Sequence, residues 1–317
     1  MRPRNERTTL STRRDFLRRA AACGAAAAVP GCSLLTNSVT DKNFGLIDAH
    51  VHVWTSDTTC YPLASGYTKD SMKPPSFPPE ELFAHCRPLG VNRIVLIQMS
   101  FYGFDNSYML DAIAEHPGVF SGVAVIDETA NPVARMRALA PRGVRGFRIR
   151  PASGSNETWL NGEGMKAMWA EAAKSRQQMC ALIHPEFLPS IDRMCERHPD
   201  TPTVVDHFGR IGLDGKMPKN ELDDLCRLAR HPNLKVKVSA YYALGKKQVP
   251  YHDLKPMFRR VYDTFGPERL MWASDCPFQV VGDHDYASSI ELVKSLDFLS
   301  ESDRDWILRR TAEETYF

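Results

Sequence analysis

Phe44-Gly45-Leu46-Ile47-Asp48-Ala49-His50-Val51-His52-Val53-Trp54 is an apolar run that carries two histidines two residues apart and no charge after Asp48. Side chains alternate faces along a β-strand, so His50 and His52 point the same way, with Asp48 one step deeper. Two imidazoles on one face at a strand's end form a ready pair of metal ligands. The competing reading is two polar side chains at a solvated strand end. The rest of the chain decides between them, because it supplies partners for the pair.

Working outward from that run, apolar segments of strand length recur at Leu46–His52, Arg93–Gln98, Phe120–Asp127, Val144–Arg150, Met179–His184, Thr203–His207, Leu234–Ser239 and Leu270–Asp275. Most are β-branched and nearly continuous rather than alternating, as strands buried on both faces are. Helix-like segments lie between them: Pro79–Leu89, Tyr108–Glu115, Pro132–Leu139, Gly164–Ser175, Leu188–Arg197, Lys219–Ala229 and Leu254–Phe265. Strand alternating with helix eight times implies an α/β fold, a (β/α)8 TIM barrel, over residues 44–317. Glu115-His116-Pro117, Arg197-His198-Pro199 and Arg230-His231-Pro232 each pair a cation with a following proline just ahead of a strand. That is a helix-stop signal, so these histidines belong to the N-terminal face of the barrel as caps. His85, inside the first helix, also reads as structural.

The chain has 317 residues, 43% of them apolar and 25% charged, enough for a large core. Its net charge of +2 hides an asymmetry. Residues 1–32 hold seven arginines against Glu6 and Asp15, a local +5, and the remaining 33 basic and 36 acidic residues give −3. A mildly acidic body argues against a nucleic-acid partner. Ser11-Thr12-Arg13-Arg14-Asp15-Phe16-Leu17 followed by the weakly apolar Ala20–Val29 matches a twin-arginine export signal, and the run is too short to span a membrane. Val29-Pro30-Gly31-Cys32 resembles a lipobox, with Cys32 as the candidate lipidation site and only membrane anchor. The expectation is a signal over 1–32, a linker over 33–43, and a periplasmic destination. The six other cysteines lack paired spacing, and most of them read as buried small apolar residues rather than a disulfide framework.

Three further candidate ligands close strands that face the same mouth: His184 in Ala181-Leu182-Ile183-His184, His207 in Val204-Val205-Asp206-His207, and Asp275 in Trp272-Ala273-Ser274-Asp275. Catalytic residues of such barrels come from the C-terminal strand ends. The loop from Thr55 to Pro78 is long and rich in Pro, Ser, Thr and Tyr; over the mouth it makes a lid, and Tyr61 in it is a candidate substrate contact.

Asp48-Ala49-His50-Val51-His52, Asp206-His207 and Trp272-Ala273-Ser274-Asp275 together resemble the motifs of the amidohydrolase superfamily. More narrowly, they resemble its amidohydrolase-related branch of sugar lactonases, pyrone-dicarboxylate lactonase and carboxymuconate-semialdehyde-type decarboxylases. Gly143-Val144-Arg145-Gly146-Phe147-Arg148 and Val236-Lys237-Val238-Ser239 resemble the lactonase members. The resemblance implies that His50, His52, His184 and Asp275 hold one divalent metal, zinc by preference, with His207 facing the substrate and Ser239 near it. Such a metal leaves a position for water and lowers its pKa to about 7. Asp275 then serves as general base in the attack on a lactone or ester carbonyl.

Strand four departs from the binuclear members, which place a lysine or glutamate bridge there. It carries Arg145, Arg148 and Arg150 instead, which implies one metal or none and an anionic substrate, since guanidinium grips carboxylates in a fork. Cys276 stands where tryptophan is common. The expected function is a metal-dependent-type hydrolase opening a sugar-acid or dicarboxylate lactone. The alternatives are a decarboxylase of an aromatic or muconate-like acid, and an exported binding protein without turnover. The sequence carries no reading of the oligomeric state.

Overall fold

The computed structural model describes residues 45–317, apart from 153 and 157; the expected signal, linker and Cys32 lie outside the described residues. Eight strands run parallel in sequence order: β1 (Leu46–Val51), β2 (Val91–Ile97), β3 (Phe120–Ala124), β4 (Val144–Ile149), β5 (Gln178–Ala181), β6 (Thr203–Val205), β7 (Leu234–Ser239) and β8 (Leu270–Ala273). Parallel neighbours need crossovers, and helices supply them: α1 (Pro79–Cys86), α2 (Ser107–Glu115), α3 (Pro132–Leu139), α4 (Glu163–Ser175), α5 (Leu188–Arg197), α6 (Lys219–Arg227), α7 (Lys255–Phe265) and α8 (Tyr286–Lys294). The result is the nearly closed eight-stranded barrel expected from the alternation. Its last helix, α8, and the C-terminal helical segment from Glu301 to Tyr316 are not among the segments read from the sequence.

Alternate strand residues turn inward and form one apolar cluster, with Ile47 and Ala49 of β1, Val95 and Ile97 of β2, Val123, Cys180, Val204, Met271 and Ala273. Ala312 and Tyr316 from the C-terminal segment join it and close the N-terminal end of the barrel. The other strand faces pack against the helices in a larger apolar cluster. The three expected caps hold: His116 and His198 follow α2 and α5, and their N–H groups donate to Ala112 and Met194. His231 follows the turn after α6 and lies 2.6 Å from Asp192.

The long loop is not a hanging lid. Trp54 and Phe77 form an antiparallel bridge, Trp54 Nε1 donates to Pro74 O, and Ala64 N donates to Phe101 O. Tyr61 is tied down as well: its hydroxyl donates 3.0 Å to Asp111 on α2. The expected substrate contact at Tyr61 is therefore a structural fastening. Of the six cysteines outside the N-terminal segment, all are free; four are buried, Cys226 is half-buried and Cys60 is exposed.

Several strands are shorter than the apolar runs suggest. The ladders stop at Ala181, Val205 and Ala273, leaving His184, His207 and Asp275 just beyond them. His207 (φ 54°) and Asp275 (φ 64°) adopt left-handed backbone that cannot continue a strand. Pro185 removes the next donor after His184.

Candidate active site

Closure of the barrel and formation of the site use the same piece of chain. Past the ends of β1 and β8, Asp275 N donates to His50 O at 2.9 Å and His52 N donates to Cys276 O at 2.9 Å. Just beneath, the fully buried Asp48 accepts from the backbone N–H groups of His50 (3.1 Å) and Ser274 (3.0 Å) and from the Tyr286 hydroxyl. Burial pushes its carboxyl up to about 6, against those hydrogen bonds. Asp48 thus fixes Ser274, and with it Asp275, against the histidine strand. These bonds hold Asp275 in a backbone conformation that costs an L-residue roughly 1–2 kcal/mol.

Asp275 Oδ1 lies 3.4 Å from His50 Nε2 and 3.3 Å from His52 Nε2, and Oδ2 lies 3.7 Å from His207 Nε2. Burial raises Asp275, but His207, His50 and His52 outweigh it and hold the carboxyl well below the usual range. Burial pushes His207 down to about 4, so its imidazole is neutral at pH 7. Ser239 Oγ sits 2.8 Å from His207 Nδ1 and fixes the ring. Tyr242 donates its hydroxyl to Asp275 Oδ2 at 2.7 Å.

A second layer stands behind the first, inside the barrel. Lys237, fully buried on β7, places Nζ 3.1 Å from Asp206 Oδ1 and 3.4 Å from His50 Nδ1. Arg148 on β4 places Nη2 2.6 Å from His50 Nε2 and 3.4 Å from Asp206 Oδ2. Burial raises Asp206, yet Lys237, His50 and Arg148 together hold it well below its ordinary value. Sequence reading missed Lys237; its signal was the inward alternation of Lys235, Lys237 and Ser239 along an apolar strand.

The donor set matches the spacing a metal ion requires. With metal–ligand bonds of about 2.0–2.2 Å, donors of a tetrahedral ion stand roughly 3.3–3.5 Å apart, and Asp275 Oδ1 meets both imidazoles at such distances. The other ring nitrogen of His52, Nδ1, lies 2.8 Å from Ile97 O and donates to it, which leaves Nε2 free to ligate. His50, His52 and Asp275 therefore form a group able to hold a metal ion. His50 Nε2 meets Arg148 Nη2 at 2.6 Å, a contact that an ion held there would have to displace. His184 is a correction: it lies outside this group and lines the cavity wall beside Arg210, whose Nη1 is 3.4 Å from its Nε2.

The site opens into a cavity of about 560 Å³ lined by His52, Arg148, His184, His207, Arg210, Tyr242 and Asp275, among others. Arg210 comes from an unusual turn. His207, Phe208, Gly209 and Arg210 all have φ between 53° and 63°, and a turn of three residues per repeat brings the first and fourth to one side. Strain of that kind, at three residues that are not glycine, is retained where surrounding structure enforces it and is a mark of functional sites. Arg210 and Tyr242 lie on loops beyond the strand ends, where the sequence offers no register to place them.

Of the other expected substrate contacts, Arg145 faces outward near the start of β4 and donates to Ala140 O at 2.9 Å, because its parity is opposite to that of Arg148. Arg150, exposed just past the same strand, lines a neighbouring cavity of about 700 Å³ that shares Arg148 and Ser100 with the central one. Ser239 is fully buried and acts on His207, not on the cavity.

A parallel eight-stranded barrel with His-x-His at the end of β1, an aspartate after β8 and a histidine after β6, all at the C-terminal mouth, defines a barrel enzyme of the hydrolase class. The chain belongs to the amidohydrolase family, whose model matches residues 47–317. It is 30% identical over 240 residues to the 4-sulfomuconolactone hydrolase of Hydrogenophaga intermedia, a match taking in 74% of this chain and 75% of that protein. It is 28% identical over 249 residues to the 2-pyrone-4,6-dicarboxylate hydrolase of Comamonas testosteroni, covering 76% of this chain and 79% of that one. Among solved structures, an amidohydrolase from Burkholderia multivorans with bound zinc superposes with a TM-score of 0.72 at 20% identity, over 86% of this chain and 99% of that one. At that identity the likeness speaks for the fold.

Proposed function

We propose that this enzyme hydrolyses a small anionic lactone, with zinc held by His50, His52 and Asp275. The observation that carries the reading is Arg210. It faces the same cavity as Asp275 and has no carboxylate partner among the described residues. A half-buried guanidinium without an anion is matched by a carboxylate or sulfonate on the ligand. The names of the relatives support the same chemistry, since both describe hydrolases of lactones bearing acidic groups.

When bound, zinc polarises a carbonyl oxygen and lowers the pKa of water. The chain's own residues do the rest. Arg210, with His184 beside it, orients the anionic substituent. Asp275, ionised and oriented by Tyr242, accepts the proton of the attacking water. With Ser239 Oγ donating to His207 Nδ1, the Nε2–H of the neutral ring is left to donate to the developing oxyanion or the leaving oxygen.

The test is an acid-release screen on pyrone-carboxylate, muconolactone-type and sugar-acid lactones with wild type, Asp275→Asn and Arg210→Met, alongside metal analysis of each protein. Acid release that vanishes in Asp275→Asn, and a KM raised roughly tenfold or more in Arg210→Met, is the expected result. Carbon dioxide release without acid from the lactones' ring-opened analogues would turn the assignment to a lyase. The proposal also includes twin-arginine export with a lipid anchor at Cys32, supported by the Arg13-Arg14 motif and the Cys32 context. Mass analysis of the mature N-terminus from fractionated cells checks it; a full-length protein in the cytoplasm refutes it.

A further inference from the structure

Among the described residues, the exposed large apolar side chains are not scattered. Of the seven, five (Tyr67, Phe104, Leu213, Val249 and Val281) sit on loops that follow strands, on the side of the barrel where the site opens. One of them, Val281, 53% exposed, borders a separate cavity of about 740 Å³ beside the catalytic one. The walls of this annex come from the pinned β1 loop (Lys73, Pro74, Phe77), from α1 (Glu81, His85), and from the segment after β8 (Pro277, Val280, His284). Tyr242 and Phe278 line both cavities. Their rings are tilted at 31° with centroids 6.3 Å apart, and Tyr242 is the residue that donates to Asp275.

We infer that this annex is a second subsite of the active centre and takes an aromatic or alkyl substituent of the lactone, the two rings forming the partition between the reacting group and the apolar arm. The inference rests on the lactone-hydrolase reading and refines its substrate to an amphiphilic lactone, anionic at one end and apolar at the other. The shared walls are what assign the annex to the substrate: Tyr242, which donates to Asp275, and Phe278 line both cavities, and the annex lies on their other side. Most of the lining is apolar or aromatic, and its two charged residues, Lys73 and Glu81, are exposed and of opposite sign. Phe77 is buried and stacked on His85 with centroids 6.1 Å apart, and the cations of the mouth, Arg148 and Arg210, line the other cavity.

The experiment compares a 2-pyrone carboxylate with its phenyl-substituted analogue in wild type and Val281→Asp. The expected result is a preference for the phenyl compound in kcat/KM of roughly tenfold or more, the gain for burying one aromatic ring, carried by KM and reduced toward unity in Val281→Asp. Equal use of both lactones, or a preference that Val281→Asp does not change, overturns the annex and leaves lactone hydrolysis standing. If neither lactone is turned over, calorimetric titration of 3-phenylpropanoate against propanoate separates the two ideas. Phenyl-selective binding that weakens in Val281→Asp keeps the annex while the reaction falls, and no selectivity overturns both. A change of sedimentation from dimer to monomer in Val281→Asp would show the apolar rim to be a contact between copies, and would overturn the substrate assignment.

Discussion

Replacing Lys237 by methionine tests the electrostatic skeleton on which the site rests. Lys237 and Asp206 have no exposed surface, and Nζ lies 3.1 Å from Oδ1. That oxygen has no aligned hydrogen bond, so the contact is Coulombic. At an effective dielectric of about 20, two unit charges at that separation attract by roughly 5 kcal/mol. Methionine fills similar volume and removes the buried cation, which recovers part of its desolvation, but Asp206 is left with Arg148 at 3.4 Å as its remaining full charge. Breaking a buried pair from one side costs about 3–5 kcal/mol, and the same range is expected for Lys237→Met. The assay is urea unfolding followed by far-UV circular dichroism, on wild type, Lys237→Met, Asp206→Asn and the double variant. Because the two groups touch, the double-mutant cycle returns a coupling of at least about 2 kcal/mol. Single-variant losses that simply add, or a Lys237→Met loss below about 1 kcal/mol, would refute the reasoning, since neither is compatible with a desolvated ion pair.

Two further outcomes follow from the same geometry. Tyr242→Phe removes a hydrogen bond to a charged group, worth about 1.5–3 kcal/mol of stability, and is expected to lower the urea midpoint accordingly and to reduce kcat on the lactone found in the screen; an unchanged kcat would remove Tyr242 from the site. Arg145→Ala, on the outer face of β4, is expected to change stability by less than about 0.5 kcal/mol and to leave KM for the anionic lactone as it is, and a raised KM would restore Arg145 as a substrate contact.

Much of the fold is legible because burial on both faces leaves a direct trace in composition. The eight β-branched runs became eight parallel strands, and the His-Pro sequences became helix ends, since a proline after a cationic helix end acts locally. The pair His50 and His52 was legible only in part: Ile47 and Ala49 turn inward and Asp48 turns to Tyr286 of α8, so it is the register shift between Asp48 and Val51, and not plain alternation, that brings His50 inside the barrel. Strand periodicity does separate Arg148 from Arg145: β4 turns position 148 inward and 145 outward.

What the sequence by itself determined, then, is the barrel, the histidine pair on its first strand and the mouth at which Asp275 and His207 appear. Tertiary structure decided which neighbours these residues meet. His184 reached the cavity wall and not the group of His50, His52 and Asp275, since it lies past the last ladder residue of β5, where no periodicity fixes direction. Arg210 entered the cavity through four successive left-handed residues, a conformation that propensity disfavours and only the surrounding packing sustains. Tyr242, Lys237 and Asp206 acquired their roles from contacts across 33, 187 and 31 positions of chain, to Asp275, His50 and Lys237 respectively. Strand periodicity is a local property that a sequence displays, whereas partners that far apart are brought together only when the barrel closes.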